Sequence, residues 1–164
     1  MNRVYFMRTE MADRSAAALK LLQSIIGPIP KVERGKHGKP YFPDHPDLQF
    51  SISHTVGAVA CAVSDRPCGI DIESVQRSVN SRIAKRFYTK REIAYATNSM
   101  HFLEVWTRKE ALIKRFGGIV QPMRKMETVG SPEIQTQIYD GYLVSFCSEN
   151  PKFKITNVNE QEIL

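Results

Sequence analysis

The sequence predicts a mixed α+β domain in which helices and strands share one core. Three observations carry this. Residues 100–116 (MHFLEVWTRKEALIKRF) place apolar side chains at 102, 105, 106, 112, 113 and 116, close to the repeat of a helix. CGIDIES (68–74) alternates Ile70 and Ile72 with Asp71 and Glu73, the period-2 pattern of a strand with one face toward the core. The 164 residues are 42% hydrophobic and 24% charged without a low-complexity tract, enough to bury a core without disulfide or metal staples.

The elements follow in order. NRVYFM (2–7) reads as a strand and 12–26 as an amphipathic helix stopped by Gly27-Pro28, since glycine caps helices and proline ends them. A basic loop follows, PYF (40–42) opens an extended segment, and DHPD (44–47) is turn material. GAVACAVS (57–64) is small and apolar enough for a buried strand or helix, a choice that periodicity leaves open. After the CGIDIES strand, TKRE (89–92) has the form of a capping box, opening a helix from about 90 to 97. The 100–116 helix carries Lys109 on its apolar stripe as the exception and stops at Gly117-Gly118. EIQTQIY, the Asp140-Gly141 turn, YLVSFC and FKITNV then read as strands.

Composition narrows the function. MNRVYFMRTEM carries Arg3, Arg8 and Glu10 around a short apolar run and lacks the uncharged core of a signal peptide. No stretch approaches the roughly 18 apolar residues of a membrane span, so the expected localisation is cytoplasmic, with no membrane partner. Cys61, Cys68 and Cys147 are odd in number, show no CxxC spacing and sit in apolar contexts, which favours buried thiols. The net charge of +6 is concentrated at 31–39, 82–91 and 108–115, which suits phosphates or an acidic protein partner. Nucleic acid is not expected, because no recognised binding motif or aromatic-interleaved basic stripe is present.

The chemistry-bearing residues form three groups. Asp71 and Glu73 project from one strand face and repel unless a cation or a proton relieves them; a hard oxygen-seeking ion such as Mg²⁺ does so. A D-x-E pair alone more often marks an exposed strand edge, so it needs a third ligand. Trp106, Glu110 and Lys114 recur every four residues along one side of the long helix, where Glu110 and Lys114 also fit a plain surface ion pair. Ser53 and His54 in FSISHT (50–55) could bind an anion, whereas the G-x-S-x-G elbow of a serine hydrolase is missing.

The motifs taken together are more specific than any one of them. GKP (38–40), FSISHT (50–55), GIDIE (69–73) and WTRKEALIK (106–114), in this order, resemble the Sfp-type 4′-phosphopantetheinyl transferases. The likeness extends through RFYTKREI, the GGIVQP loop and the closing ITNVNEQEIL. It implies an α+β fold of two similar halves related by a pseudo-twofold, with the active site between them. Residues 1–164 would form one domain, a shortened first half (1–75) joined to a second (76–164).

It also implies an enzyme that moves the phosphopantetheine arm of coenzyme A onto a serine of an apo acyl, peptidyl or aryl carrier protein, releasing 3′,5′-ADP. By the same resemblance Asp71, Glu73 and Glu110 match the family's metal positions, for Mg²⁺ or Mn²⁺. Glu110 and Lys114 match its catalytic positions, and Lys39, Ser53, His54, Lys109 and Lys114 its coenzyme A contacts. Glu92 aligns with an acidic position near the site, although the capping box explains it alone, and Trp106 is expected in the core. Two departures stand out: Ser51 and Thr55 replace asparagine and serine of the usual FNxSHS, and only about 35 residues precede GKP. The short front implies weaker coenzyme A binding or a dimer contact, leaving monomer or homodimer open. The competing expectation is a non-catalytic relative that binds coenzyme A or a carrier as a scaffold or regulator.

Overall fold

In the computed structural model, which describes residues 2–119 and 121–163, the chain stacks in four layers, helix on sheet on sheet on helix. β1 (Arg3–Arg8) leads into α1 (Arg14–Ile26), which starts where Asp13 accepts from the Ala16 amide and ends at Gly27, φ 81°. A short pair, β2 (Glu33–Arg34) with β3 (Pro40–Tyr41), spans the basic loop. β4 (Gln49–Thr55), β5 (Ala58–Ser64) and β6 (Gly69–Ser74) follow, then α2 (Ser81–Phe87), α3 (Lys90–Tyr95) and α4 (Ser99–Phe116). The hairpin β7 (Ile134–Tyr139) and β8 (Tyr142–Cys147), β9 (Ile155–Asn157) and α5 (Glu160–Ile163) close the chain. Val120 of the GGIVQP loop and Leu164 of the closing segment lie outside the described residues.

One sheet has the order β4-β5-β1-β9, antiparallel except for the parallel β1·β9 pair; the other is the antiparallel β6-β8-β7. The choice left open at 57–64 resolves to a strand. Ala58, Ala60 and Ala62 face the second sheet, small enough to let it approach, while Val59, Cys61 and Val63 face α1. Between the sheets Phe6, Ile70, Ile72, Val144 and Phe146 form the central core. The three cysteines are buried free thiols. Among the described residues no helix is long and apolar enough to cross a membrane.

Most predicted elements stand where expected, including the capping box, in which the Thr89 hydroxyl and the Glu92 carboxylate bond reciprocally to backbone amides. Two corrections arise. α2 and α5 were not anticipated: both are short, neither fully buries a residue, and the apolar side of α2, Ile83, Ala84 and Phe87, spans only five residues. α4 buries Phe102, Val105 and Lys109 of the stripe its spacing indicates, but Thr107 and Arg108 beside it are buried too, while Phe116 is half exposed. The cause is that α4 is covered on a second side, so its polar residues find partners there. Arg108 donates to Thr128 O, and the Thr107 hydroxyl meets Ser145 Oγ at 2.8 Å. Trp106 packs in a satellite cluster beside Phe87, as expected of a core residue.

Candidate active site

The site begins with a glycine. A Cβ on Gly69 would lie 2.0 Å from the Ala111 carbonyl and 2.5 Å from the Arg115 amide, both backbone atoms that cannot yield. Only glycine lets the start of β6 lie against α4, and this contact sets Asp71 opposite Lys114.

β6 is the edge of its sheet, and an edge leaves amides unpaired. Here β4 pairs them with side chains. Ser51 Oγ accepts from the Ile70 amide at 3.0 Å and Ser53 Oγ from the Ile72 amide at 3.2 Å. Ser53 donates in turn to Asp71 Oδ1 at 3.0 Å, and Thr55 Oγ1 to Glu73 Oε2 at 3.4 Å. The hydroxyls at 51 and 55, the two departures in FSISHT, thus both belong to one ladder joining the sheets.

The strand carboxylates have protein partners. Lys114 Nζ donates to Asp71 Oδ1 at 3.0 Å, and Arg77 binds Glu73 Oε1. The surface pair Glu110–Lys114 is therefore replaced by one that crosses from α4 to β6. Asp71 Oδ2 is buried and has no hydrogen-bond partner. Burial raises the proton affinity of Asp71 above the ordinary carboxyl value, against the pull of Lys114. Glu73 and Glu110 are raised as well, first by burial and then by the charge of Asp71. The three acids therefore feel one another, yet among the described residues no three side chains converge closely enough to form a ready metal cage.

The remaining sequence-derived residues divide. Lys39 and Lys114 line a cavity of about 280 Å³, together with His37, Ser51, Ile113 and Gly117. Lys39 Nζ donates to Cys68 O at 2.9 Å and Arg115 O at 3.1 Å, and burial lowers its pKa. Ser53 and His54 do not converge, because successive strand residues face opposite ways. Ser53 is buried against Asp71, whereas His54 is exposed beside Ser15 Oγ at 3.4 Å. Lys109 turns away from the acids: its ammonium, 1% exposed, donates to Glu92 Oε1 and Met126 O, both at 2.7 Å. Glu92 also accepts from the Thr89 and Thr128 amides and the Thr128 hydroxyl.

Sequence reasoning missed Arg77; for Ser51 and Thr55, small and polar, it allowed local hydrogen bonding but not the partners on β6. Only the spacing of Arg77, four residues beyond Glu73, was available as a signal.

Comparison with known proteins agrees with this architecture. The model of the 4′-phosphopantetheinyl transferase superfamily matches residues 67–161, which span β6, α4 and the β7–β8 hairpin. 4′-Phosphopantetheinyl transferase Sfp of Bacillus subtilis is 29% identical, covering 97% of this chain and 85% of the relative. That alignment runs over 191 residues, more than this chain has, so Sfp carries insertions relative to it. 4′-Phosphopantetheinyl transferase gsp of Aneurinibacillus migulanus is 33% identical over 79% of this chain and 64% of its own length. For 4′-phosphopantetheinyl transferase AcpT of Escherichia coli K12 the values are 33%, 65% and 58%. The fold and these likenesses define a group-transferring enzyme. The chain belongs to the 4′-phosphopantetheinyl transferase superfamily.

Proposed function

We propose that this protein transfers the 4′-phosphopantetheine group of coenzyme A to a serine of an apo carrier protein, in a reaction that requires Mg²⁺ and releases 3′,5′-ADP. The observation that carries this is the Lys114–Asp71 pair at the junction of β6 and α4, whose lysine also lines the 280 Å³ cavity.

The donor set fits a hard cation. Asp71 Oδ2 is a buried acceptor without a partner, and each of the three acids is destabilised in its charged form by burial. Asp71, Glu73 and Glu110 would hold the ion, which when bound neutralises charge on the diphosphate of coenzyme A. Lys114, about one-third exposed, supplies a positive charge where negative charge develops on the leaving group. Glu110 takes the proton of the carrier serine, directly or through a water, as that oxygen bonds to the β-phosphorus and the bond to 3′,5′-ADP breaks. Lys39 and the exposed His54 are assigned to coenzyme A phosphates; Ser53 serves by orienting Asp71, and Lys109 by holding α4 in place.

The chain is taken as one domain. Its proposed halves, 1–75 and 76–164, are tied by strand exchange: β6 pairs with β8, and β9 returns to β1. A homodimer contact that supports coenzyme A binding is tested by sedimentation beside a coenzyme A titration, and a monomer with micromolar affinity would refute it. The carrier is an acidic acyl, peptidyl or aryl carrier protein, docking on α2, which presents Arg82, Lys85 and Arg86 without burying a residue. Reversing these three charges should raise the KM for carrier several-fold at unchanged coenzyme A affinity; an unchanged KM would remove this docking face. The direct test of function is release of 3′,5′-ADP from coenzyme A in the presence of an apo carrier. Release that stops on chelation and resumes with Mg²⁺ is expected, and release unaffected by chelation would refute the cation role.

A further inference from the structure

We propose that Arg77 is a resident counter-cation of the carboxylate group, occupying Glu73 in the metal-free protein and leaving it when a divalent cation binds. The inference rests on the cation site assigned above to Asp71, Glu73 and Glu110.

The two strand acids are not equivalent. Asp71 Oδ1 takes Ser53 and Lys114, while its buried Oδ2 takes nothing. Both oxygens of Glu73 are engaged, Oε1 by Arg77 and Oε2 by Thr55. A cation that reaches Asp71 Oδ2 therefore displaces no protein group, but one that also uses Glu73 meets a carboxylate whose charge a guanidinium already compensates and repels that guanidinium. The Thr55 bond is long, 3.4 Å, so the competitor that matters is the guanidinium.

Arg77 is also placed to leave. Its side chain is 45% exposed against 12% for Glu73, so it has a route to water that the carboxylate lacks. It stands on the turn after β6, where its amide donates to Ser74 O, rather than inside a regular element. The side chain further lines an apolar groove of about 130 Å³ with Val79, Ile83, Phe102 and Trp106, which suits its aliphatic stem after release. Metal entry is thus an exchange of cations at Glu73.

The test is binding of Mn²⁺ alone to the full chain, read from the electron paramagnetic resonance of the free ion at low ionic strength. Arg77→Gln should tighten Mn²⁺ binding about three- to tenfold, the scale of one competing charge-assisted pair. Arg77→Lys, which keeps the charge, should change it less. Arg82→Gln removes an equal charge that has no pair with the site and should shift it less than about twofold. Binding to Arg77→Gln that equals or falls below wild type, with Asp71→Asn weakened, overturns the role of Arg77 alone. Asp71→Asn binding as tightly as wild type overturns the cation site itself, and the exchange with it.

Discussion

Lys109 and Lys114 stand on the same helix, each bonded to a carboxylate, and the two pairs differ in every other respect. Lys109 and Glu92 are 1% and 0% exposed; Glu92 accepts four hydrogen bonds and Lys109 donates two, all within α3, α4 and the adjoining 89 and 126–128 positions. Lys114 and Asp71 are 31% and 9% exposed, with one buried oxygen unpartnered and two further acids nearby. The closed pair is sealed from solvent and fixes where α4 sits. The open pair retains unmet electrostatic demand, which structural packing alone does not call for.

Breaking the closed pair should have the largest effect. Lys109→Met leaves Glu92 charged and buried, a change that costs about 3–5 kcal/mol. Urea unfolding should show that loss, with partial recovery in the Glu92→Gln, Lys109→Met double variant; a wild-type midpoint for Lys109→Met would contradict the closed-pair account. A smaller loss, about 1–3 kcal/mol, is expected for Ser53→Ala, which strips the Ile72 amide of its acceptor and Asp71 of a donor. Little or no change in its melting temperature would show that the hydroxyl ladder does not hold the sheets.

The smallest effect has the opposite sign. Glu110 binds its proton more tightly folded than at the ordinary value of 4.5, so the folded state holds more protons just above that pH. Its charge therefore opposes folding above the raised pKa, and that penalty fades as pH falls toward 4.5. Glu110→Gln should melt about 1–3 °C higher than wild type near pH 8, with the gap closing on acidification. A gap that widens on acidification would reverse the sign of the account.

Much of this was legible in residue patterns because it is local. The Thr89–Glu92 capping box, the Gly27 and Gly117 helix ends and the alternation of GIDIE depend on neighbours within a few residues. What escaped depends on contacts distant in sequence. That α4 buries Thr107 and Arg108 follows from Ser145 and Thr128, which supply their partners from distant segments. Ser53 and His54 looked like one anion site by adjacency, yet a strand sends them to opposite faces. The acidic residues themselves were legible; that Lys114, Ser53, Arg77 and Thr55 are their partners was not, because none is fixed by spacing alone.

The most direct measurement is the intact mass of an apo acyl carrier protein incubated with coenzyme A, Mg²⁺ and this protein, beside Asp71→Asn and Lys114→Met variants checked for wild-type melting. A gain of one phosphopantetheine group with wild type, and none with either folded variant, is the predicted result. Modification by Asp71→Asn at the wild-type rate would contradict the assigned site, and no gain with wild type across acyl, peptidyl and aryl carriers would contradict the transferase itself.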